Sequence, residues 1–319
     1  CRDEGITDEL LMQDYAHTFT FLGIALHFHD DIHLKTSVFL RPKWMIDALF
    51  QLLYHPKVEA QAGRFSESDA DGIWAEPEYD DMQGTLLRLM EKFHLCYRIE
   101  GSQHYIVPQR LPARTEAFVP PADATQVVFR YKFMPSGILT QLTCRLHHRI
   151  ESAAPYAEME FRPAGSGAES HSAIQCVWSD AVQFSDKNNS GRVFVREVQT
   201  AHFLEINAFG PQKADMLNQV VDILDDIHAN TKFGNLRVEK LVPCPCAECT
   251  HRRNRREEAE FFNYDFLLEL LRDGETESDR CRLSKRKFPI RDILKNAEVR
   301  VFKIEHIREL LASDQIEAA

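Results

Sequence analysis

Apolar residues recur at helical spacing through residues 7–22, where Leu10, Leu11, Tyr15, Phe19 and Leu22 form a stripe behind a Thr7 N-cap. Asp8 and Glu9 supply acidic first-turn residues, and Gly23 ends the segment. Short apolar runs at 24–28 and 37–40 predict two strands around the polar turn His29-Asp30-Asp31. Pro42 suits a first helical position and opens a second helix carrying Trp44, Ile46, Leu49, Phe50, Leu52 and Leu53. Trp44 is expected to pack on the stripe of the first helix. A short helix over 63–74 with Ser66 as its cap comes next, then a longer amphipathic helix over 79–93. A β-hairpin over 94–99 and 104–107 follows. Helices followed by a hairpin is the plan of a winged helix.

Four prolines, Pro108, Pro112, Pro120 and Pro121, mark 108–124 as a linker. Beyond it the pattern predicts a strand over 126–133 and a helix over 136–150 with Leu139, Leu142 and Leu146 inward. Strands are predicted at 156–161, 173–178, 182–184, 192–197 and 203–208, with 185–191 as a hairpin loop. A long helix over 210–229 and another over 261–271 complete the pattern. The expected fold is α+β in two lobes: a winged-helix-like N-terminal lobe (1–115), a linker (116–124), a C-terminal lobe of antiparallel sheet with packed helices (125–300) and a tail (301–319). A length of 319 residues suits two units of about 150 residues each.

Net charge sharpens this picture. Acids outnumber bases 49 to 38, a balance of −11, which argues against a general nucleic-acid or anionic-membrane surface. No apolar run is long enough to span a membrane, and the start Cys1-Arg2-Asp3-Glu4-Gly5 is not a signal peptide. A first residue other than Met points to a piece of a longer protein. Thiols without a regular framework spacing make a reducing cytoplasm the expected location.

The densest chemistry is Cys244-Pro245-Cys246-Ala247-Glu248-Cys249 with Cys281 further on. A C-x-C-x-x-C knuckle brings thiolates within reach of one ion, and a later cysteine can close a tetrahedral site. Structural Zn2+ on Cys244, Cys246, Cys249 and Cys281 is the expected cofactor, with His251 as a substitute ligand. Unligated thiols in a turn, or a redox role, are the competing readings. His27, His29, Asp30, Asp31 and His33 resemble a second cluster but sit at a turn where such residues are ordinarily solvated. The basic run 251–256 is followed by Glu257, Glu258 and Glu260, as in a solvated loop.

Residues 131–139, Tyr131-Lys132-Phe133-Met134-Pro135-Ser136-Gly137-Ile138-Leu139, run into Leu142 and Arg145-Leu146. This resembles the Met-Pro…Gly-hydrophobic…Arg-Leu signature of COR domains, which follow the Roc GTPase in Roco proteins, the family of the leucine-rich-repeat kinases. Leu22-Gly23-Ile24-Ala25-Leu26-His27-Phe28, Leu40-Arg41-Pro42-Lys43-Trp44, Leu89-Met90-Glu91-Lys92-Phe93 and Tyr105-Ile106-Val107-Pro108 resemble further family segments in the right order. The cysteine cluster followed by Phe261-Phe262-Asn263-Tyr264 is similar to bacterial-type members. Residues 303–319 have no clear counterpart.

The resemblance implies a signalling module that is not itself an enzyme. It would form a homodimer through the C-terminal lobe and contact the upstream Roc GTPase through the N-terminal one. Tyr131, Met134, Pro135 and Gly137 become candidates for interface or GTPase coupling. The residues agree: no G-x-x-x-x-G-K-[ST] loop, H-R-D or D-F-G motif occurs, and Gly165-Ser166-Gly167 lacks the phosphate-binding lysine. This stretch is therefore expected to bind no nucleotide. The rival reading is a zinc-containing winged-helix DNA-binding protein, against which the acidic charge weighs.

Overall fold

The computed structural model describes residues 9–35, 37–115, 118–121, 124–151, 176–230, 236–254 and 259–296. The Thr7 cap, the strand predicted at 156–161, the first half of that at 173–178 and the tail lie outside these residues. The chain divides into two compact units, the first running to Leu111 and the second beginning at Pro112.

In the first unit, α1 (Glu9–Phe21) ends at Gly23, which takes φ +71°, and β1 (Leu26–His27) pairs antiparallel with β2 (Val38–Phe39). Part of the predicted α1 stripe faces outward, while the side chains of Leu10 and Leu11 lie outside the described ones. Tyr15, Phe19 and Leu22 are exposed, and Ala16 is the buried position. Pro42 stands at the start of α2 (Pro42–Leu53), which buries Met45, Ala48, Leu49, Leu52 and Leu53. A helix the pattern did not reveal, α3 (Pro56–Ala60), follows. The region read as one helix from 63 begins instead as strand β3 (Arg64–Ser66). Ser66 caps α4 (Glu67–Ile73) through a reciprocal box, accepting from the Asp69 N–H while the Asp69 carboxylate accepts from the Ser66 N–H.

The helix predicted from 79 starts later, as α5 (Gln83–Lys92), because Asp81 turns the chain at φ +62°. β4 (Tyr97–Arg98) and β5 (His104–Ile106) form the hairpin, and the sheet order is β3-β5-β4. Gly63 is required where β3 begins: at φ +79° an added Cβ would lie 2.8 Å from the Val107 carbonyl. Trp74 organises the core. It is fully buried with Met45, Leu52, Leu86 and Met90, and its indole N–H donates to the Ala48 carbonyl at 3.0 Å. Trp44 is only partly buried and packs against this core, its ring tilted 5.4 Å from that of Tyr79, where the sequence reading set it on α1.

In the second unit β6 (Thr125–Tyr131), β7 (Ala181–Ser185), β8 (Arg192–Val198), β9 (Phe203–Phe209), β10 (Val238–Pro243) and β11 (Phe261–Asn263) form one antiparallel sheet in the order β11-β10-β6-β9-β8-β7. Two-residue alternation places Val127 and Phe129 beside Ile206 and Leu204, with Val193 and Val195 continuing the same face. α6 (Ile138–Arg145) and α7 (Lys213–Asn230) lie against one another, joined by the Arg145–Asp226 ion pair. α7 buries Met216, Leu217, Val220, Val221, Leu224 and Ile227. The opposite sheet face carries a polar network: the Glu205 carboxylate accepts from Gln126 at 2.9 Å, Arg196 at 2.5 Å and Asn207 at 3.2 Å.

From Pro112 on, the proline-rich stretch belongs to this second unit. Pro112 accepts from the Ser179 N–H at 3.1 Å, and the Arg114 N–H donates to Asp180 at 2.7 Å. The Arg114 guanidinium stands 4.9 Å over Trp178 and 5.0 Å over Phe194. The helix predicted from 261 begins at 264 instead: the Asn263 side chain accepts from the Phe266 N–H at 3.0 Å and caps α9 (Tyr264–Arg272). Arg252 and Arg253 lie in α8 (Ala247–Asn254), not in a loop, and α10 (Ile290–Asn296) closes the described chain. No described helix is long and apolar enough to cross a membrane.

Candidate metal centre

β10 delivers the chain to Cys244 at the edge of a small second core, and Pro245 turns it so that Cys246 precedes the first turn of α8. Cys249 then falls inside α8, three residues on and facing back toward Cys246, whose sulfur accepts from the Cys249 N–H at 3.2 Å. Cys281 arrives from a separate turn ahead of α10. Its sulfur accepts from the Ser284 N–H at 3.5 Å, and the turn is closed by Cys281 N–H to Arg286 and Lys285 N–H to Cys281 backbone bonds. All four sulfurs are buried and lie within 4.8 Å of one another. Cys249 and Cys281 are 3.6 Å apart and Cys246 and Cys281 3.9 Å, so the thiols are free rather than paired as disulfides.

The surroundings respond to concentrated sulfur charge. The Arg253 guanidinium donates to the Cys244 carbonyl at 2.8 Å and to Thr250 at 3.1 Å. Burial draws its pKa down while Cys249, Cys244 and Cys246 push it back up. Burial pushes the Cys244 and Cys249 thiols up. Burial also opposes ionisation of Cys281, but hydrogen bonds from Ser284 and Leu283 outweigh it and bring that thiol below its usual value. His251, the substitute ligand of the sequence reading, is exposed and lies outside the group of four. The sulfurs share their core with Val242, Phe262, Tyr264, Leu267, Ile290 and Ile293.

The second histidine-rich cluster does not assemble. His27 bonds the Lys35 carbonyl at 2.8 Å, His29 pairs with Asp30 at 2.8 Å, and Asp31 accepts from the His33 and Leu34 N–H groups and from Lys92. The basic groups of α5 are likewise engaged, Lys92 with Asp31 and Arg88 with Glu91, each at 3.2 Å, which leaves no free basic stripe on that helix for a nucleic-acid backbone.

Three of the four interface candidates point inward. Tyr131 is buried, with its hydroxyl hydrogen-bonded to His228 Nε2 at 2.9 Å, and Met134 and Pro135 are buried beside it in the chain. Gly137 takes φ +90° as the N-cap of α6, a conformation that suits the abrupt start of the helix. The side chain this joint presents to solvent is Phe133, 62% exposed, which sequence reasoning did not single out. A phenylalanine at the end of a strand gives no local sign of facing outward.

Two family models match in tandem: C-terminal of Roc, COR-A domain, over residues 1–111, and C-terminal of Roc, COR-B domain, over residues 122–296. Among curated proteins, a probable serine/threonine-protein kinase qkgA of Dictyostelium discoideum is 28% identical over 150 residues, 42% of this chain and 9% of that protein. A Roc-COR-CHAT protease of an unknown prokaryotic organism is 22% identical over 228 residues, 69% of this chain and 19% of that protein. A second Roc-COR-CHAT protease, from Runella zeae, is 24% identical over 153 residues, 47% of this chain and 16% of that protein. The chain thus spans less than a fifth of the length of these relatives. A solved chain of Methanosarcina barkeri Roco2 RocCORdC bound to GDP is 26% identical, covering 33% of this chain and 34% of that one at a TM-score of 0.30. The chain belongs to the COR family of Roco proteins, COR-A followed by COR-B.

Proposed function

We propose that this chain is a non-catalytic regulatory module that dimerises and couples to a Roc GTPase domain in the same polypeptide. The observation that carries this reading is the tandem match, because both family models are described as lying C-terminal of Roc and together they take in nearly all of the described chain. The absence of phosphate-binding and kinase motifs from the sequence agrees with a role in positioning rather than in chemistry.

The exposed surfaces support a division of labour. The N-terminal unit, helices on a three-stranded sheet that ends in a hairpin, is read as winged-helix-like and as the part that meets the GTPase. In support, α2 exposes Ile46, Phe50 and Tyr54 at spacings of four, one apolar stripe on a helix whose other side is core. α1 exposes Tyr15, Phe19, Phe21 and Leu22. The C-terminal unit supplies the dimer contact, for which the exposed Phe133 and Phe266 are available apolar anchors. Nucleotide state would act by biasing how the paired modules hold their GTPase domains.

The coupling is tested in the full-length, GTPase-containing protein with Phe50→Asp, a change at a 51% exposed position that leaves the core intact. The expected result is a several-fold change in GTP hydrolysis or nucleotide release with an unchanged melting temperature. Hydrolysis and release both equal to the parent protein would contradict a GTPase contact through α2.

A further inference from the structure

We propose that Cys244, Cys246, Cys249 and Cys281 form a tetrathiolate site for a structural zinc ion that ties the turn around Cys281 to the β10–α8 junction. Four observations converge on it. The first is dimensional. A tetrahedral ion with zinc–sulfur bonds of about 2.3 Å holds its sulfurs about 3.8 Å apart. The Cys249–Cys281 and Cys246–Cys281 separations of 3.6 and 3.9 Å fall on either side of that edge length. Uncoordinated thiols packing as small apolar groups have no reason to converge four at a time on one point.

The second observation is the pair of backbone N–H donors aimed at sulfur, Cys249 N–H to Cys246 and Ser284 N–H to Cys281, each three residues beyond the sulfur that accepts. Such bonds orient a thiolate and spread its charge, as outer-shell donors do at metal centres. The start of α8 and the turn at Cys281 thus share one N–H to sulfur bond at the same spacing, although 35 residues separate the accepting cysteines.

The third is the poverty of the loop that carries Cys281. Between Gly274 and Pro289 the buried side chains are Ser278 and Cys281, with Leu283 and Phe288 partly buried against the small core, and the segment is otherwise held by bonds within itself, such as Ser278 N–H to the Phe288 carbonyl and Cys281 N–H to that of Arg286. A segment of that length, rich in charged residues, buries little apolar area of its own. An ion shared between its buried Cys281 and the three sulfurs at the β10–α8 junction adds a further constraint.

The fourth is charge. Four thiolates on a divalent ion leave two negative charges, and Arg253 is partly buried against them with its guanidinium on the Cys244 carbonyl. The residues flanking Cys281, Arg280, Arg282, Lys285, Arg286 and Lys287, are all basic. All-sulfur ligation with no open position makes the site structural, since a catalytic zinc keeps one position for water or substrate. Binding releases the protons of those thiols that are protonated in the free protein and changes no oxidation state.

The test is elemental analysis and cobalt substitution on the whole chain, purified under reducing conditions without chelator. The expected result is about one zinc per chain, and, after exchange, the intense visible bands of tetrahedral cobalt together with thiolate-to-metal charge transfer. Cys281→Ser should lose the metal or the four-sulfur spectrum while far-ultraviolet dichroism keeps the sheet signal. If that variant fails to fold, the cobalt spectrum of the unaltered protein decides the question alone. Thiol titration of the native protein showing all four cysteines freely reactive, with no zinc and no tetrahedral cobalt spectrum, would overturn the proposal. Iron in place of zinc would overturn the identity of the ion.

Discussion

Replacing Trp74 should be the most damaging single truncation in the N-terminal unit. Its side chain is fully buried between α2, α4 and α5, among Met45, Leu52, Leu86 and Met90, and its indole N–H donates to the Ala48 carbonyl. Trp74→Ala removes the whole ring and leaves a void that three helices cannot close without moving, at a cost of about 3–5 kcal/mol. The Ala48 carbonyl lies inside α2 and keeps its helical partner, so the lost indole bond adds little to that figure. Trp74→Phe retains most of the packing and should cost about 1–2 kcal/mol. Trp44→Ala is the internal control. That ring is part-exposed and tilted beside Tyr79, so its loss should cost about 1–2 kcal/mol. Urea unfolding followed by far-ultraviolet dichroism measures all three, with the transition of the first unit shifted and that of the second left in place. Equal losses for Trp44→Ala and Trp74→Ala would refute the assignment of Trp74 as the centre of this core.

Three further outcomes are expected. Burial pushes the Asp69 carboxyl up, but bonds from Lys57 and Ser66 outweigh it and hold its pKa below the ordinary 3.8, so its contribution is present at neutral pH and is lost as pH falls through and below that value. Asp69→Asn should cost about 1 kcal/mol at pH 7 and flatten the acid limb of a stability-versus-pH curve; an unchanged limb would count against the cap. Gly63→Ala should destabilise by about 2 kcal/mol or more, since φ is +79° and the new Cβ meets backbone atoms of Val107 and Arg110 at 2.8 and 2.9 Å; a neutral effect in thermal unfolding would contradict that crowding. Tyr131→Phe should cost about 1 kcal/mol through loss of the 2.9 Å bond to His228, with a wild-type melting temperature as the contrary result.

The sequence was most legible where local chemistry is self-contained. Ser66 with Asp69 three residues on marks a capped helix start, and Pro42 marks another, because a cap depends only on its immediate neighbours. The turn at 185–191 was equally plain, its Asp186 carboxylate collecting the N–H groups of Asn188, Ser190 and Gly191. Strands β10 and β11 were not legible. Val238–Pro243 mixes charged and apolar positions without clean alternation and is fixed by pairing with β6, more than a hundred residues earlier. The exposure of Tyr15, Phe19 and Leu22 and the place of Trp44 were not legible for one reason: periodicity shows that a helix is two-faced but not what covers the apolar face. The four cysteines could be singled out by crowding, and their convergence needed the fold, because the turn at 281 reaches the knuckle across a core and not along the chain. Phe133 escaped notice because the neighbouring Tyr131, Met134 and Pro135, which resemble the family signature, face inward.

The reading of this chain as a dimerising partner of a GTPase domain is tested most directly by the mass of the full-length protein in solution. Sedimentation velocity over a range of concentrations with GDP bound should give a two-copy particle, and Phe133→Asp and Phe266→Asp together should shift it toward one copy without altering the thermal transition. A single-copy mass for the unaltered, GTPase-containing protein at tens of micromolar would contradict the account.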